Sequence, residues 1–273
     1  FPASTGKAKS KKTFNVSAIL AAALTNGEVL RYIAEFPDDK RNILYFDTEQ
    51  SPHHCQRVMK RALQLAGLSL DSHPDNLFFA QLRALTPDVR LELIDNAIAT
   101  TPNVGLVIID GIRDLMFDIN NAIESSRLIN KLMEWTDRYQ IHIHTVLHLN
   151  KSDDNVCGHV GTELNNKAET VLQVSKSTTD SEVSEVSASY IRSMDFPPFA
   201  FSVDEYGLPE VAADYTFARQ QKIQTFSYTE LTPEQHRQAL EIAFADGNIK
   251  GCQNCEDKIK EAYAACGFPY GDG

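Results

Sequence analysis

The stretch Gly6-Lys7-Ala8-Lys9-Ser10-Lys11-Lys12-Thr13 constrains this chain more than any other. Set against the template G-x-x-x-x-G-K-[ST], it supplies the first glycine as Gly6, the lysine as Lys12 and the hydroxyl as Thr13, while Lys11 stands where the second glycine belongs. A loop of this kind turns backbone N–H groups onto a phosphate and opens directly into a helix N-terminus. The residues behind it are suitable. Phe14 to Leu24 reads as a buried helix, closed by Asn26-Gly27. Four lysines and no acid among the first fourteen residues concentrate positive charge where a triphosphate needs it. A lysine-rich, solvated tail is the other reading, and Lys11 favours it. Only Phe1 to Thr5 precede the loop, so its feeding strand is expected to be short or missing.

Beyond the loop, strand and helix signals alternate. Asn42 to Asp47, Leu77 to Ala80 and Val104 to Asp110 are apolar strand candidates, and the last is the strongest buried strand in the sequence. Between them lie helix patterns over Ser51 to Leu65, closed by Gly67, and from the Thr86-Pro87 start to Ala99. Ser125 to Tyr139 is amphipathic, with Leu128, Leu132 and Trp135 on one face. Ile141 to His148 is the next strand, followed by β-like segments over Glu169–Lys176, Ser187–Arg192 and Phe199–Asp204. This alternation implies a parallel sheet with right-handed crossovers and a more antiparallel edge.

Polar groups gather at the ends of these strands, where a doubly wound sheet collects its ligands. Asp110 ends the Val-Leu-Ile-Ile strand, from which an aspartate reaches a Mg²⁺ held by Thr13. Glu49 follows Asp47-Thr48 and is placed to orient or deprotonate an attacking water. Taken singly, each of these carboxylates also reads as an ordinary strand-end acid.

The ordered set Gly6–Thr13, Tyr45-Phe46-Asp47-Thr48-Glu49-Gln50-Ser51, Val107-Ile108-Ile109-Asp110-Gly111 and His148-Leu149-Asn150-Lys151 resembles a RecA-like AAA-family ATPase. The likeness is greatest to hexameric plasmid replication helicases and ATPases of bacterial mobile elements. It covers roughly residues 1–210 and implies a three-layer α/β domain there, with a small helical appendage over 211–273. It implies that Gly6, Lys7, Ala8, Lys9, Ser10, Lys11, Lys12 and Thr13 cradle ATP, and that Thr13 and Asp110 hold Mg²⁺. Glu49 is then the catalytic carboxylate and His148 a polar sensor, although Leu147 stands where such proteins carry the first of two histidines. Arg192, ahead of Phe196-Pro197-Pro198-Phe199, resembles the arginine that ring ATPases offer across a subunit interface. Lys11 departs from the family pattern, and its Cβ is expected to disturb the loop. The resemblance implies ATP hydrolysis coupled to DNA handling, as a homo-oligomeric ring. The alternatives are a non-hydrolysing nucleotide-binding scaffold and a signalling ATPase with no DNA role.

Composition narrows the partners. A net charge of −11 argues against a general nucleic-acid coat, so contact with single-stranded DNA has to be local, in a channel or loop. The segment Ser152 to Asn166 occupies the place of a DNA-contacting loop but carries Asp153, Asp154 and Glu163, and reads as a mobile surface loop. No apolar run approaches the ~20 residues of a membrane span. Five cysteines without a secretory pattern suggest reduced thiols in a cytoplasm, and the start at Phe1 is expected to mark a fragment or a trimmed numbering. Cys252, Cys255 and Cys266 lack a fourth ligand at zinc spacing. Near the C-terminus Thr232-Pro233-Glu234-Gln235 is a capping-box-like start, and a second helix is expected over Glu256 to Ala265. The pair is more acidic than basic, which argues against a DNA-reading helix-turn-helix.

Overall fold

The structure is a computed structural model and describes residues 1–149, 158–192, 195–217, 231–245, 247 and 252–268. It divides into two compact units, Phe1–Thr216 and Phe217–Gly273.

The first unit opens with β1 (Pro2–Gly6), α1 (Lys12–Thr25) and a hairpin of β2 (Glu28–Val29) and β3 (Tyr32–Ile33). The feeding strand is therefore present, five residues long, and hydrogen-bonded on both sides. There follow β4 (Asn42–Asp47), α2 (Pro52–Leu65), β5 (Leu77–Gln81), α3 (Pro87–Thr100), β6 (Val104–Asp110), α4 (Ala122–Tyr139) and β7 (His142–His148). The unit ends with α5 (Gly158–Lys167), β8 (Thr170–Lys176), β9 (Ser184–Ile191), β10 (Phe199–Val203) and β11 (Pro209–Val211). One nine-stranded sheet runs in the order β11-β10-β9-β8-β1-β7-β6-β4-β5. Strands from β8 through β5 in that order are parallel, and β9, β10 and β11 add an antiparallel edge.

The strands are apolar on both faces because both faces are covered. Ile43, Tyr45, Leu106 and Ile108 pack with Val16 and Leu20 of α1 and Val58 and Ala62 of α2. The alternate residues, Leu44, Phe46, Val107 and Ile109, pack with Ile94 and Ile98 of α3 and Leu128, Leu132 and Trp135 of α4. All seven residues of β6 are buried. The result is three layers, a mainly parallel α/β domain. The indole N–H of Trp135 donates to Asp95 Oδ1 at 2.6 Å, which satisfies the polar atom of a fully buried ring.

The segment after β7 differs from expectation. Gly158–Lys167 is a helix rather than a surface loop, with Val160 and Leu164, four residues apart, buried in the α3/α4 core. Its acids and glycines hide a short apolar stripe that only the neighbouring helices make visible. Ser152 to Cys157, with Asn150 and Lys151, lie outside the described residues.

The second unit contains α6 (Pro233–Ala243) and α7 (Cys252–Ala265). The Thr232/Gln235 capping box closes at the start of α6, and His236 Nδ1 bonds to the Tyr263 hydroxyl of α7 at 2.6 Å. Among the described residues no helix is long and apolar enough to cross a membrane, no metal-holding group of His, Cys, Asp or Glu occurs, and Cys55, Cys255 and Cys266 are free thiols.

Candidate functional site

The carboxyl ends of β1, β4, β6 and β7 lie side by side, and register decides what meets there. Gly6 pairs with His148 across β1 and β7, and Asp47 pairs with Asp110 across β4 and β6. Residues 142 and 63 positions apart thus share one edge.

The loop leaves β1 at Gly6, where a Cβ would meet the Val174 carbonyl oxygen at 2.3 Å and Ser10 Oγ at 2.6 Å, so this position has room only for glycine. The turn closes through Lys9 and Lys11, both left-handed, with φ of 65° and 64°. Lys11 therefore adopts a left-handed conformation that glycine reaches without strain, at the position where its Cβ is expected to disturb the loop. For a residue with a Cβ this costs about 1–2 kcal/mol. The Lys11 ammonium donates to the Glu182 carbonyl at 2.6 Å, tying the loop to the β8–β9 connection. Behind Lys11, α1 presents the N–H groups of Lys12 and Thr13, which have no intrahelical acceptor. Ser10 Oγ is buried and unpartnered.

Lys12 is folded back into this loop. Its ammonium donates to the carbonyls of Gly6 at 2.6 Å and Lys7 at 2.9 Å. Burial pushes its pKa down to about 8, with the charges of Glu49 and Asp110 opposing that fall. Both acids named from the sequence are therefore electrostatic neighbours of the loop lysine.

The acids are held by one network at the end of β4. Asp47, fully buried, accepts the backbone N–H groups of Glu49 at 3.0 Å and Gln50 at 2.7 Å on Oδ1. This turn aims Glu49 at His148, whose Nε2 lies 2.9 Å from Glu49 Oε2. That hydrogen bond holds the Glu49 carboxyl below its ordinary value. On the other side Tyr45 Oη donates to Asp110 Oδ2 at 2.9 Å, and Gln50 Nε2 reaches Asp47 Oδ2 at 2.9 Å and Asp110 Oδ2 at 3.3 Å. Burial, reinforced by the charge of Asp47, pushes Asp110 up to about 7. The single Thr48 hydroxyl proton is shared between the carbonyls of Asp110 at 3.0 Å and Gly111 at 2.8 Å, so the turns after β4 and β6 are laced together. Gly111 has φ 106°, and a Cβ there would lie 2.3 Å from Thr48 Oγ1.

Lys12, Glu49, Asp110 and His148 thus converge. Arg192 does not join them within its own chain. It follows β9 at the opposite end of the sheet, where its N–H donates to the Glu169 carbonyl and its guanidinium to the Asn166 carbonyl at 2.5 Å. Glu169 in turn bonds to Phe1, five positions before Gly6, a span of roughly 16 Å along a strand. Tyr45, Asp47, Thr48 and Gln50 sit in the same motif as Glu49 without a role assigned from the sequence. Their signal is the polar run at a strand end, and the tyrosine is hidden there because an aromatic inside an apolar strand reads as core.

A family model described as AAA domain matches residues 3–154, just over half of the 273 residues. No curated protein matches the chain.

Proposed function

From a chain that belongs to the AAA-domain family, we propose an ATPase that binds ATP with Mg²⁺ at the Gly6–Thr13 loop and hydrolyses it in support of DNA handling. The observation that carries this reading is the convergence on Lys12. A buried ammonium closes on its own loop carbonyls and feels both Glu49 and Asp110, at the shared end of four parallel strands.

The residues fit the group. Thr13 and Asp110 are hard oxygen donors of the kind Mg²⁺ takes. The first-turn N–H groups and the positive end of α1 favour an anion at the loop. Lys12 exchanges its carbonyl partners for phosphate oxygens when the loop is filled. Mg²⁺, when bound, supplies neutralising charge on the transferring phosphoryl group. Glu49, ionised and oriented by His148, accepts the proton of the attacking water as the new P–O bond forms and the bond to the ADP oxygen breaks. The left-handed turn at Lys11 supports a working loop over a disabled one. Coupling to single-stranded DNA and a ring of subunits are supported by the resemblance to plasmid helicases. In that arrangement Arg192 serves a neighbouring subunit, since the height of the sheet separates it from its own loop.

The test is thermal melting of the full chain with and without Mg·ATP, alongside phosphate release with and without single-stranded DNA. Ligand at a hundred times Kd stabilises by about 2.7 kcal/mol. Absence of any nucleotide-induced shift removes the reading. A shift without phosphate release leaves the scaffold alternative.

A further inference from the structure

The network around Asp110 has a feature that the proposed reaction does not use. Both hydrogen bonds that Asp110 accepts through its side chain fall on one oxygen, Oδ2, from Tyr45 Oη at 2.9 Å and Gln50 Nε2 at 3.3 Å. A carboxylate turns easily about its last torsion, which is broad and nearly two-fold. Two donors on one oxygen remove that freedom and distinguish the two oxygens.

Both donors are themselves fixed. The Tyr45 ring is fully buried and stacks on Phe79 at 4.5 Å with 10° between planes. Gln50 donates its backbone N–H to Asp47 Oδ1, and its carbonyl accepts from Gln81 Nε2 at 3.0 Å. The orientation of the Gln50 amide follows from chemistry, since its oxygen in this place would face two carboxylates and its NH₂ offers one hydrogen to each. Asp47, by contrast, already accepts from two backbone N–H groups and from Gln50. It serves the scaffold, and of this buried pair only Asp110 has an oxygen to offer.

We infer that Tyr45 and Gln50 are positioning residues that pin Oδ2 of Asp110 and so present Oδ1 as the oxygen for Mg²⁺ or its bound water. This rests on the nucleotide-site reading above. Groups that orient a metal-side ligand in this way typically cost 10–100-fold in metal affinity when removed.

The experiment uses Tyr45→Phe, which keeps the ring on Phe79 and removes only the hydroxyl, and Gln50→Ala, at a half-buried turn position. For each, the full chain is melted with a non-hydrolysable ATP analogue across a Mg²⁺ titration, and again in excess chelator. The expected result is a 10–100-fold rise in the Mg²⁺ concentration giving half the metal-dependent shift, with analogue binding in chelator unchanged. A purely structural role lowers the melting point of the ligand-free protein, or weakens the analogue equally with and without metal, and either outcome with an unmoved Mg²⁺ half-point overturns the inference. Should Tyr45→Phe fail to fold, Gln50→Ala alone decides. A parent protein with no Mg²⁺-dependent shift at all overturns the nucleotide-site reading itself, which separates the two failures.

Discussion

Replacing Lys12 by methionine tests the site through the stability of the empty protein. Methionine keeps the apolar stem and removes the ammonium. Burial holds the folded-state pKa at about 8 against 10.5, a difference of 2.5 units, or about 3 kcal/mol at 1.36 kcal/mol per unit. The sign follows from proton binding. Between pH 8 and 10.5 the unfolded chain holds the proton and the folded one releases it, so the parent gains stability as pH rises through that window. Below pH 8 both states are protonated and the penalty is present in full. The lost hydrogen bonds offset it, at about 1.5–3 kcal/mol each for an ionised donor, even though both carbonyls keep another donor, Leu149 N–H on Gly6 and Ser10 N–H on Lys7. Lys12→Met should therefore be no more stable than the parent at pH 7, because two charge-assisted bonds of about 1.5–3 kcal/mol each match or exceed the burial penalty. It should fall further below the parent, by about 3 kcal/mol, as pH rises from 8 to 10.5. Urea unfolding of both proteins at a series of pH values measures the difference directly, and groups titrating equally in both cancel. A difference that stays constant from pH 7 to 10.5, or moves the other way, refutes the reasoning. The same variant should lose its nucleotide-induced melting shift.

Glu49→Gln should retain Mg·ATP-induced stabilisation and lose about 10²–10⁴-fold in phosphate release, since an amide keeps the shape without a base; undiminished turnover makes Glu49 a surface residue. Gly6→Ala puts a Cβ 2.3 Å from the Val174 oxygen, and should cost about 1–3 kcal/mol and abolish the nucleotide shift. Gly27→Ala, whose nearest atom beyond its chain neighbours would be 3.6 Å away, is the control, and equal behaviour of the two in melting would contradict the packing account. His144, buried and bonded to Ser4 Oγ at 2.8 Å, has its pKa pushed down to about 3 by burial, so it contributes stability above pH 6.5 that is lost as pH falls towards 3. His144→Leu should flatten the acid limb of a urea-derived stability profile by a few kcal/mol, and an unchanged slope would place the acid sensitivity elsewhere.

Much of this architecture is legible in the sequence because it depends on neighbours within about ten residues. The short apolar run Val104 to Asp110 reads as a strand covered on both faces, and it is one. Asn26 stops α1 in the left-handed region, and Thr232 with Gln235 starts α6, at the positions their side-chain chemistry dictates. The loop lysine, its hydroxyl and the two acids are equally local, since each is a residue type at the end of a periodic run. Periodicity carries no record of which strands become neighbours. That β1 inserts between β7 and β8, which sets Gly6 beside His148 and lets Glu49 reach a residue ninety-nine positions away, is decided by long-range packing alone. The same holds for α5, whose two apolar residues become a core face only against α3 and α4. It holds for Lys11, whose left-handed backbone is accompanied by a tether to Glu182, 171 residues on. The position of Arg192 was set in the same way. Its segment reads correctly as a strand, but the antiparallel pairing of β9 with β8 carries it to the far end of the sheet. Local propensity fixes what each segment is, and the closure of the sheet fixes which ends of which segments meet.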